Sequence, residues 1–257
     1  MAVLESILAA KRSFVRELAG RPLPAPPPLR PFSLKRPPGG ELGLIAEIKR
    51  RSPSAGALST KLSVEERAAA YEGAGARMVS VLTDTPFFDG AYEHLTRARA
   101  ACKLPLLCKD FVIDERQLDA ARAYGAEAVL LIVRCLDTAS LSRLHRAALE
   151  RELVPFVEVA NEEETRVAID VGATLVGVNA RDLDTLQMDR ERAARVLELL
   201  PTNITRVHLS GLGSAAAVGA IAASAVDAAL IGEALMRADD PAPLLSAMIA
   251  EARRHAA

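Results

Sequence analysis

The chain has 257 residues, of which 50% are hydrophobic and 25% are charged. This composition is typical of a folded globular protein and excludes a collagen-like or wholly disordered chain. The 32 basic and 33 acidic side chains leave a formal net charge of −1, so nothing indicates a general surface for nucleic acid or anionic membrane. The length fits one barrel-type domain or two smaller domains.

Cysteine content and the apolar runs predict the compartment. Three cysteines occur, an odd number without a CxxC pair, which argues against a disulfide framework or a cysteine-built metal site and fits a reducing cytosol. The opening residues, MAVLESILAAKR, carry Glu5 inside their apolar stretch and do not resemble a signal peptide. The run 215–232 is interrupted by Ser224 and Asp227 and is too weak for a transmembrane helix. We expect a cytoplasmic protein.

The first 40 residues differ from the rest of the chain. Apolar residues at helical spacing predict an amphipathic helix over 4–18. The stretch 21–40 is rich in proline, which can neither donate backbone hydrogen bonds nor continue a helix, so it reads as an extended connector. It could link two domains, but the helix is too short to be a domain, and we expect the connector to lead it back onto the main body.

From residue 42 onward, short apolar runs alternate with stretches rich in alanine, arginine and glutamate. Continuous apolar runs are typical of parallel strands covered on both faces, and eight such units fit a (βα)₈ TIM barrel. We expect one domain over 1–257, with an N-terminal helical extension and connector over 1–40 and the barrel over 41–257. An open doubly wound sheet is the competing fold, but its GxGxxG turn is absent. The eight runs are 42–49, 76–83, 104–110, 127–133, 153–159, 174–179, 204–210 and 228–232.

Charged and polar residues gather where these runs end, which is the end of the strands at which barrel enzymes carry their active sites. Glu47 and Lys49 end the first run and point to one face, because they are two residues apart in a strand. Lys109 ends the third run, Glu158 lies in the fifth and Asn179 ends the sixth. Charged groups inside apolar strands are costly unless they are paired or used. These five residues are the candidate catalytic set.

Two of the chain's few lysines lie in that set, although its basic residues are mostly arginine. Lysine can donate or accept a proton when burial lowers its pKa, whereas arginine stays charged. Each lysine could also merely pair with a carboxylate at the rim. That interpretation is weaker for both lysines together, beside Glu47 and Glu158.

The runs in seventh and eighth position are followed by small residues that expose the backbone. Ser210-Gly211-Leu212-Gly213-Ser214 and Gly232-Glu233-Ala234 each precede a helical stretch. Backbone N–H groups at a helix start can hold a phosphate, and barrels often bind phosphate at these two loops. A single glycine turn is more often a cap, but two in these positions favour a phosphate site.

A family resemblance rests on strings spread over nearly the whole chain. In order they are AEIKRRSPSAG, LTDTPFFDG, CKDFVIDERQ, LLIV, VEV, GVNARDLDTL, SGLGS and LIGEALM. With the N-terminal helix and connector, they resemble the indole-3-glycerol phosphate synthase family of tryptophan biosynthesis. The resemblance implies a carboxy-lyase that closes the ring of 1-(2-carboxyphenylamino)-1-deoxyribulose 5-phosphate and releases carbon dioxide and water.

The resemblance also implies roles. Lys109 would be the general acid, and Lys49 would bind the substrate carboxylate and help in proton transfer. Glu158 would act in the dehydration step, while Glu47 and Asn179 would orient substrate hydroxyls and the lysines. The phosphate would be held by Ser52, Ser210, Gly211, Gly232 and Glu233, and the anthranilate ring walled by Phe88, Phe111, Leu131 and Leu186.

No metal or cofactor is implied, and the implied partner is a phosphorylated small molecule rather than nucleic acid, a membrane or an obligate protein.

The sequence departs from the family pattern at one charged position. The family usually reads Glu-Ser-Gly at the end of strand seven, where this chain has Leu209-Ser210-Gly211. Ala91 is a milder change, because serine commonly follows the FFxG motif. Leucine cannot accept a hydrogen bond from Lys109 or from substrate. Three hypotheses follow: the enzyme compensates or is slow, it is a paralogous barrel that acts on another sugar phosphate, or it is a non-catalytic ligand-binding descendant.

Overall fold

The computed structural model describes residues 3–183 and 185–256. Within them, eight parallel strands close into a barrel, because the first strand is hydrogen-bonded to both the second and the eighth. This confirms the TIM barrel and excludes an open sheet, which would have two unpaired edges. The strands are β1 (Gly43–Ile48), β2 (Met78–Leu82), β3 (Leu106–Lys109), β4 (Ala128–Ile132), β5 (Val154–Val159), β6 (Leu175–Asn179), β7 (Thr205–Leu209) and β8 (Ala228–Ile231).

Helices surround the barrel, and one precedes it as the sequence predicts. Their starts follow local chemistry: Ser63 and Asp114, for example, each cap a helix in a capping box. No helix in the described ranges is long and apolar enough to cross a membrane. The helices are α1 (Val3–Leu18), α2 (Val64–Ala74), α3 (Thr85–Phe88), α4 (Glu93–Ala101), α5 (Glu115–Ala123), α6 (Thr138–Glu150), α7 (Glu162–Asp170), α8 (Arg190–Leu199), α9 (Ala215–Ala222), α10 (Glu233–Arg237) and α11 (Ala242–Arg254).

The core has two layers, because successive residues of a strand point to opposite faces of the sheet. Ile45, Leu107 and Phe156 belong to the inner cluster that fills the barrel. Leu44 and Val157 belong to the outer cluster, between the strands and the helices. Each strand is therefore apolar on both faces, which is why its sequence reads as a continuous run rather than an alternating one.

The connector after α1 follows the outside of the barrel to the amino ends of the strands. The guanidinium of Arg30 donates to the backbone oxygens of Leu104 and Arg99, just before β3, and its backbone N–H donates to Glu127, just before β4. Farther along, residues 35 and 36 bind Asp227, just before β8. The extension is thus fixed to the main body by specific polar contacts as well as by packing.

Asp227 binds two successive residues of the connector, so its removal should destabilise the protein. This carboxylate is 5% exposed and accepts from the backbone N–H of Arg36 at 2.9 Å, from Lys35 Nζ at 3.0 Å and from the backbone N–H of Arg206 at 2.8 Å. Asp227→Ala removes the acceptor of two backbone N–H groups and the counter-charge of Lys35, and we expect the free energy of unfolding in urea to fall by about 3 kcal/mol.

The matched control is Asp170→Ala, which removes an exposed aspartate from the end of α7. A surface change of this kind should stay within about 0.5 kcal/mol of the parent. Equal effects of the two substitutions would contradict the role given to Asp227.

Candidate active site

Two lysine–carboxylate pairs lie at the carboxyl ends of the strands. Lys49 Nζ is 2.8 Å from Glu47 Oε1, and Lys109 Nζ is 3.7 Å from Glu158 Oε2. Both carboxylates are buried, whereas both lysine side chains are about one fifth exposed. The ammonium groups of the lysines can therefore contact a bound molecule, while the buried carboxylates fix their positions.

Glu158 is oriented by a neighbour on the next strand. Asn179 Nδ2 donates to Glu158 Oε1 at 2.8 Å, and Asn179 Oδ1 accepts from the backbone N–H of Arg181 at 2.9 Å. Glu158 Oε2 is buried without a hydrogen-bond partner among the described residues. The side chain of Glu158 is thus held through one oxygen, and the other is directed toward Lys109.

The pKa of Glu47 is set by opposing effects. Burial alone would raise it, but the ammonium groups of Lys49 and Lys109 bring it below its ordinary value. Glu47 therefore stays ionised at neutral pH, and each lysine faces a carboxylate. This balance explains how four charged groups can be accommodated at the mouth of an apolar barrel.

An apolar cavity of about 110 Å³ opens beside the lysines. The rings of Phe88 and Phe111 lie on its wall with their centroids 5.9 Å apart, and Leu186 also lines it. Helix α1 contributes Val3, Leu4 and Ile7. The cavity has the size and character of a site for part of a small aromatic group.

Leu131 does not line this cavity, contrary to the sequence prediction. It is fully buried in the outer cluster between the strands and the helices, while its neighbour Leu130 points inward and lines the cavity. In a strand, a shift of one residue exchanges the two faces, so the motif identified the correct strand but the wrong face.

A second cavity, of about 350 Å³, is lined by the loops after β7 and β8. It meets the first cavity at Lys49 and Lys109, which line both. Ser210 and Gly211 both have positive φ, at 72° and 81°, which turns the chain sharply after β7. The positive φ at residue 211 favours glycine, and a side chain there would also press on the terminal methyl of Met188. Gly232 and Glu233 line the same cavity at the start of α10.

Ser52 is separated from the other predicted phosphate ligands. It lines the apolar cavity rather than the second one, and its hydroxyl accepts from the backbone N–H of Ala55 at 3.1 Å. Ser210 lines both cavities. The predicted phosphate set therefore consists of a compact group on the loops after β7 and β8 and one residue on the loop after β1.

Sequence reasoning missed Arg181, which lines both cavities. Its Nη1 donates to the backbone oxygen of Leu186 at 3.1 Å, and its Nη2 is 3.9 Å from a carboxylate oxygen of Glu233. The sequence did carry a signal for Arg181, because it is a positively charged residue two positions after Asn179, at the end of a strand. Arg181 adds a positive charge to a site expected to bind an anionic substrate.

Metal chemistry has no visible framework here. No group of three or more His, Cys, Asp or Glu side chains with the arrangement of a metal site occurs in residues 3–183 and 185–256.

Comparison with known proteins identifies the family. Residues 4–248 match the sequence profile described as "Indole-3-glycerol phosphate synthase". The enzyme of that name from Mycolicibacterium smegmatis is 42% identical over 248 residues, covering 93% of this chain and 90% of the relative. Its counterpart from Exiguobacterium sp. is 40% identical over 245 residues, covering 95% of each.

The chain belongs to the indole-3-glycerol phosphate synthase family. It is a carboxy-lyase of tryptophan biosynthesis, and neither a barrel for another sugar phosphate nor a non-catalytic descendant is favoured. Among solved structures, 3-hexulose-6-phosphate synthase from Salmonella typhimurium superposes with a TM-score of 0.67, covering 83% of this chain and all of that one. With 15% identity, that likeness concerns the fold alone.

Leu209, where the resemblance leads us to expect a glutamate, is an apolar side chain that fits its surroundings. Leu209 is buried in the inner cluster and lines the floor of the second cavity. A side chain at Gly177 would collide with Phe156 and Leu209, so the glycine in β6 leaves room for the leucine. Because residue 209 is leucine and adds no charge, Lys49 and Lys109 face the two carboxylates of Glu47 and Glu158.

Leu209→Glu should therefore weaken substrate binding rather than repair the site. It would add a fourth carboxylate, beside those of Glu47, Glu158 and Glu233, to a cavity that has to bind an anionic substrate. We expect KM to rise about tenfold without a gain in kcat, measured by steady-state kinetics.

Leu209→Gln, which has a similar shape without the charge, is the control and should raise KM by less. A higher kcat/KM in the glutamate variant would contradict this expectation and identify Leu209 as an impairment.

Proposed function

We propose that the chain's indole-3-glycerol phosphate synthase activity is carried out where the two cavities meet. The substrate, 1-(2-carboxyphenylamino)-1-deoxyribulose 5-phosphate, has an aromatic ring at one end and a phosphate at the other. The apolar cavity suits the ring, and the loops after β7 and β8 suit the phosphate. The observation that carries the proposal is that Lys49 and Lys109 line both cavities, beside the bonds that have to change.

In the ring-closing step, the aromatic carbon that bears the carboxylate attacks the ketone carbon of the ribulose part. The electron pair of the carbonyl moves to its oxygen, which takes a proton from Lys109 Nζ. A positioned general acid of this kind contributes about 10²–10⁴-fold to the rate. Carbon dioxide then leaves, and the pair from its broken bond restores the aromatic ring.

Dehydration completes the indole. The new hydroxyl leaves as water after it takes a proton from Lys49, and the adjacent methylene loses a proton to Glu158. The free Glu158 Oε2, 3.7 Å from Lys109 Nζ, supports this role, because the proton it accepts can pass to Lys109. The reaction as a whole consumes one proton, because the negatively charged carboxylate of the substrate leaves as neutral carbon dioxide.

The remaining residues of the site orient these groups. Glu47 holds Lys49 at 2.8 Å, where the ammonium can bind the substrate carboxylate before it leaves. Asn179 holds Glu158. Phosphate binding by Ser210, Gly211, Gly232 and the backbone N–H of Glu233 would fix the far end of the substrate, so that binding energy is used to place the reacting carbons, whereas Ser52 lines the other cavity.

Three broader expectations complete the proposal. The chain folds as a single domain over 1–257, in which 1–40 is the N-terminal extension and 41–257 is the barrel. It works in the cytoplasm, and it acts on its small-molecule substrate without metal, organic cofactor, nucleic acid, membrane or an obligate protein partner. The near-neutral net charge and the sparse cysteines support these expectations.

The activity is tested by the fluorescence of the indole product. The chain contains no tryptophan, so the signal has little protein background. We expect steady formation of indole-3-glycerol phosphate by the purified protein without added metal, including after treatment with a chelator. Binding of the substrate in calorimetry without any product would contradict the proposal.

The role of Lys109 is tested by Lys109→Met. Because this variant lacks the proton donor, we expect kcat to fall by at least about 10²-fold. Inorganic phosphate should still inhibit competitively, since the loops after β7 and β8 are unchanged, but more weakly, because Lys109 lines the same cavity. Lys103→Met removes an exposed lysine just before the same strand and should behave as the parent. Unchanged turnover in Lys109→Met would remove Lys109 from the mechanism.

A further inference from the structure

A third lysine, Lys11 of α1, is more deeply buried than either lysine of the active site. It is 2% exposed, and its Nζ lies 2.6 Å from Asp110 Oδ1 and 2.8 Å from Asp84 Oδ2. Both carboxylates are buried as well. Burial alone would lower the pKa of Lys11, but Asp110 and Asp84 raise it above its ordinary value, so the lysine stays charged.

Asp84 connects this ammonium to one wall of the aromatic cavity. It follows β2 and caps α3, since its Oδ1 accepts from the backbone N–H of Phe87 at 3.0 Å. Helix α3 carries Phe88, whose ring lines the cavity. The position of Lys11 is thus coupled, through one carboxylate, to the turn that holds this ring.

Asp110 connects the ammonium to a second wall and to the catalytic strand. It directly follows Lys109, and its Oδ1 accepts from the backbone N–H of Phe111 at 2.7 Å. Its Oδ2 accepts from Thr83 Oγ1 at 2.9 Å and from the hydroxyl of Tyr92 at 3.3 Å. Asp110 is therefore held rigidly, and Lys11 binds a fixed point at the end of β3.

Helix α1 supplies a further wall of the same cavity. Leu4 and Ile7 line it and precede Lys11 by seven and four residues, which places all three side chains on one helix face. Apolar burial is non-directional and by itself does not fix how the helix is rotated or shifted. Two charge-assisted contacts from one ammonium do fix it.

We propose that Lys11 is a positioning residue: its ammonium docks α1 onto the ends of β2 and β3 and so assembles the aromatic half of the active site. Lys11 does not line either cavity and has no role in proton transfer. The proposal rests on the function proposed above, because it assigns the substrate's aromatic ring to the cavity that α1 helps to form.

Lys11→Met tests the proposal, with Arg12→Met as its control. Methionine keeps the length of the side chain and removes the charge, while Arg12 is an exposed cation on the same helix. In Lys11→Met we expect KM for the carboxyphenylamino-deoxyribulose phosphate to rise about tenfold or more, because a displaced wall misplaces the ring. The competitive inhibition constant of inorganic phosphate should change less than about twofold, since phosphate contacts none of these groups. Arg12→Met should have the same KM for the substrate and the same inhibition constant for phosphate as the parent.

A second variant separates docking from the cost of leaving two buried carboxylates without a cation. Lys11→Met/Asp84→Asn removes one of those charges, and asparagine can still cap α3. We expect this double variant to keep the raised KM and to show faster hydrogen exchange over residues 7–18, with a circular dichroism spectrum like that of the parent. A purely structural role would instead lower the active fraction, and hence the apparent kcat, and leave KM unchanged.

The proposal is overturned if the folded double variant returns to the parent KM, or if phosphate affinity falls in parallel with substrate affinity. Calorimetry with a substrate analogue whose ketone is reduced to an alcohol gives the same comparison without turnover. Binding by the parent without product formation would count against the proposed function alone. Equal analogue affinity in the parent and both Lys11 variants would count against the role of Lys11 alone.

Discussion

Closure of the parallel barrel is the constraint on which the site depends. Because every strand runs in the same direction, all eight carboxyl ends meet at one rim, and the pairing of β1 with β8 brings the ends of the chain's first and last units together. A side chain at Gly232 would collide with Glu47, so the loop after β8 lies directly against the ion pair at the end of β1. No local interaction could join groups so far apart in the sequence.

Charge at this rim is balanced in pairs, and the balance explains how the carboxylates of Glu47 and Glu158 can be buried there. Lys49 and Lys109 face Glu47 and Glu158, so each charge gains an attraction that offsets part of its desolvation. The arrangement leaves the ammonium groups partly exposed and the carboxylates beneath them. A substrate that carries negative charge at both ends then meets cations first, including Arg181, which the sequence did not single out.

The N-terminal extension is held at both ends of the barrel by different means. At the carboxyl end, α1 packs apolar side chains into the site and inserts Lys11 between two carboxylates. At the amino end, the connector binds Glu127 and Asp227, which precede β4 and β8. The prolines between these anchors limit the freedom of the unfolded connector, so less entropy is lost when it is fixed along the barrel. The extension thereby forms part of the wall of the apolar cavity.

The sequence by itself determined the barrel, the order of its strands and the rim at which its charged residues gather. Buried parallel strands read as continuous apolar runs, and a charged residue in such a run stands out, so Glu47, Lys49, Lys109 and Glu158 could be found from position alone. Only the tertiary structure decided that Leu130 rather than Leu131 faces the cavity, that Ser52 lies apart from the loops after β7 and β8, and that Lys11 is buried between Asp84 and Asp110. An amphipathic helix does not disclose which distant carboxylates its lysine will meet, and a motif does not disclose which face of a strand turns inward. Those facts depend on contacts between residues far apart in the chain, which exist only once the barrel has closed.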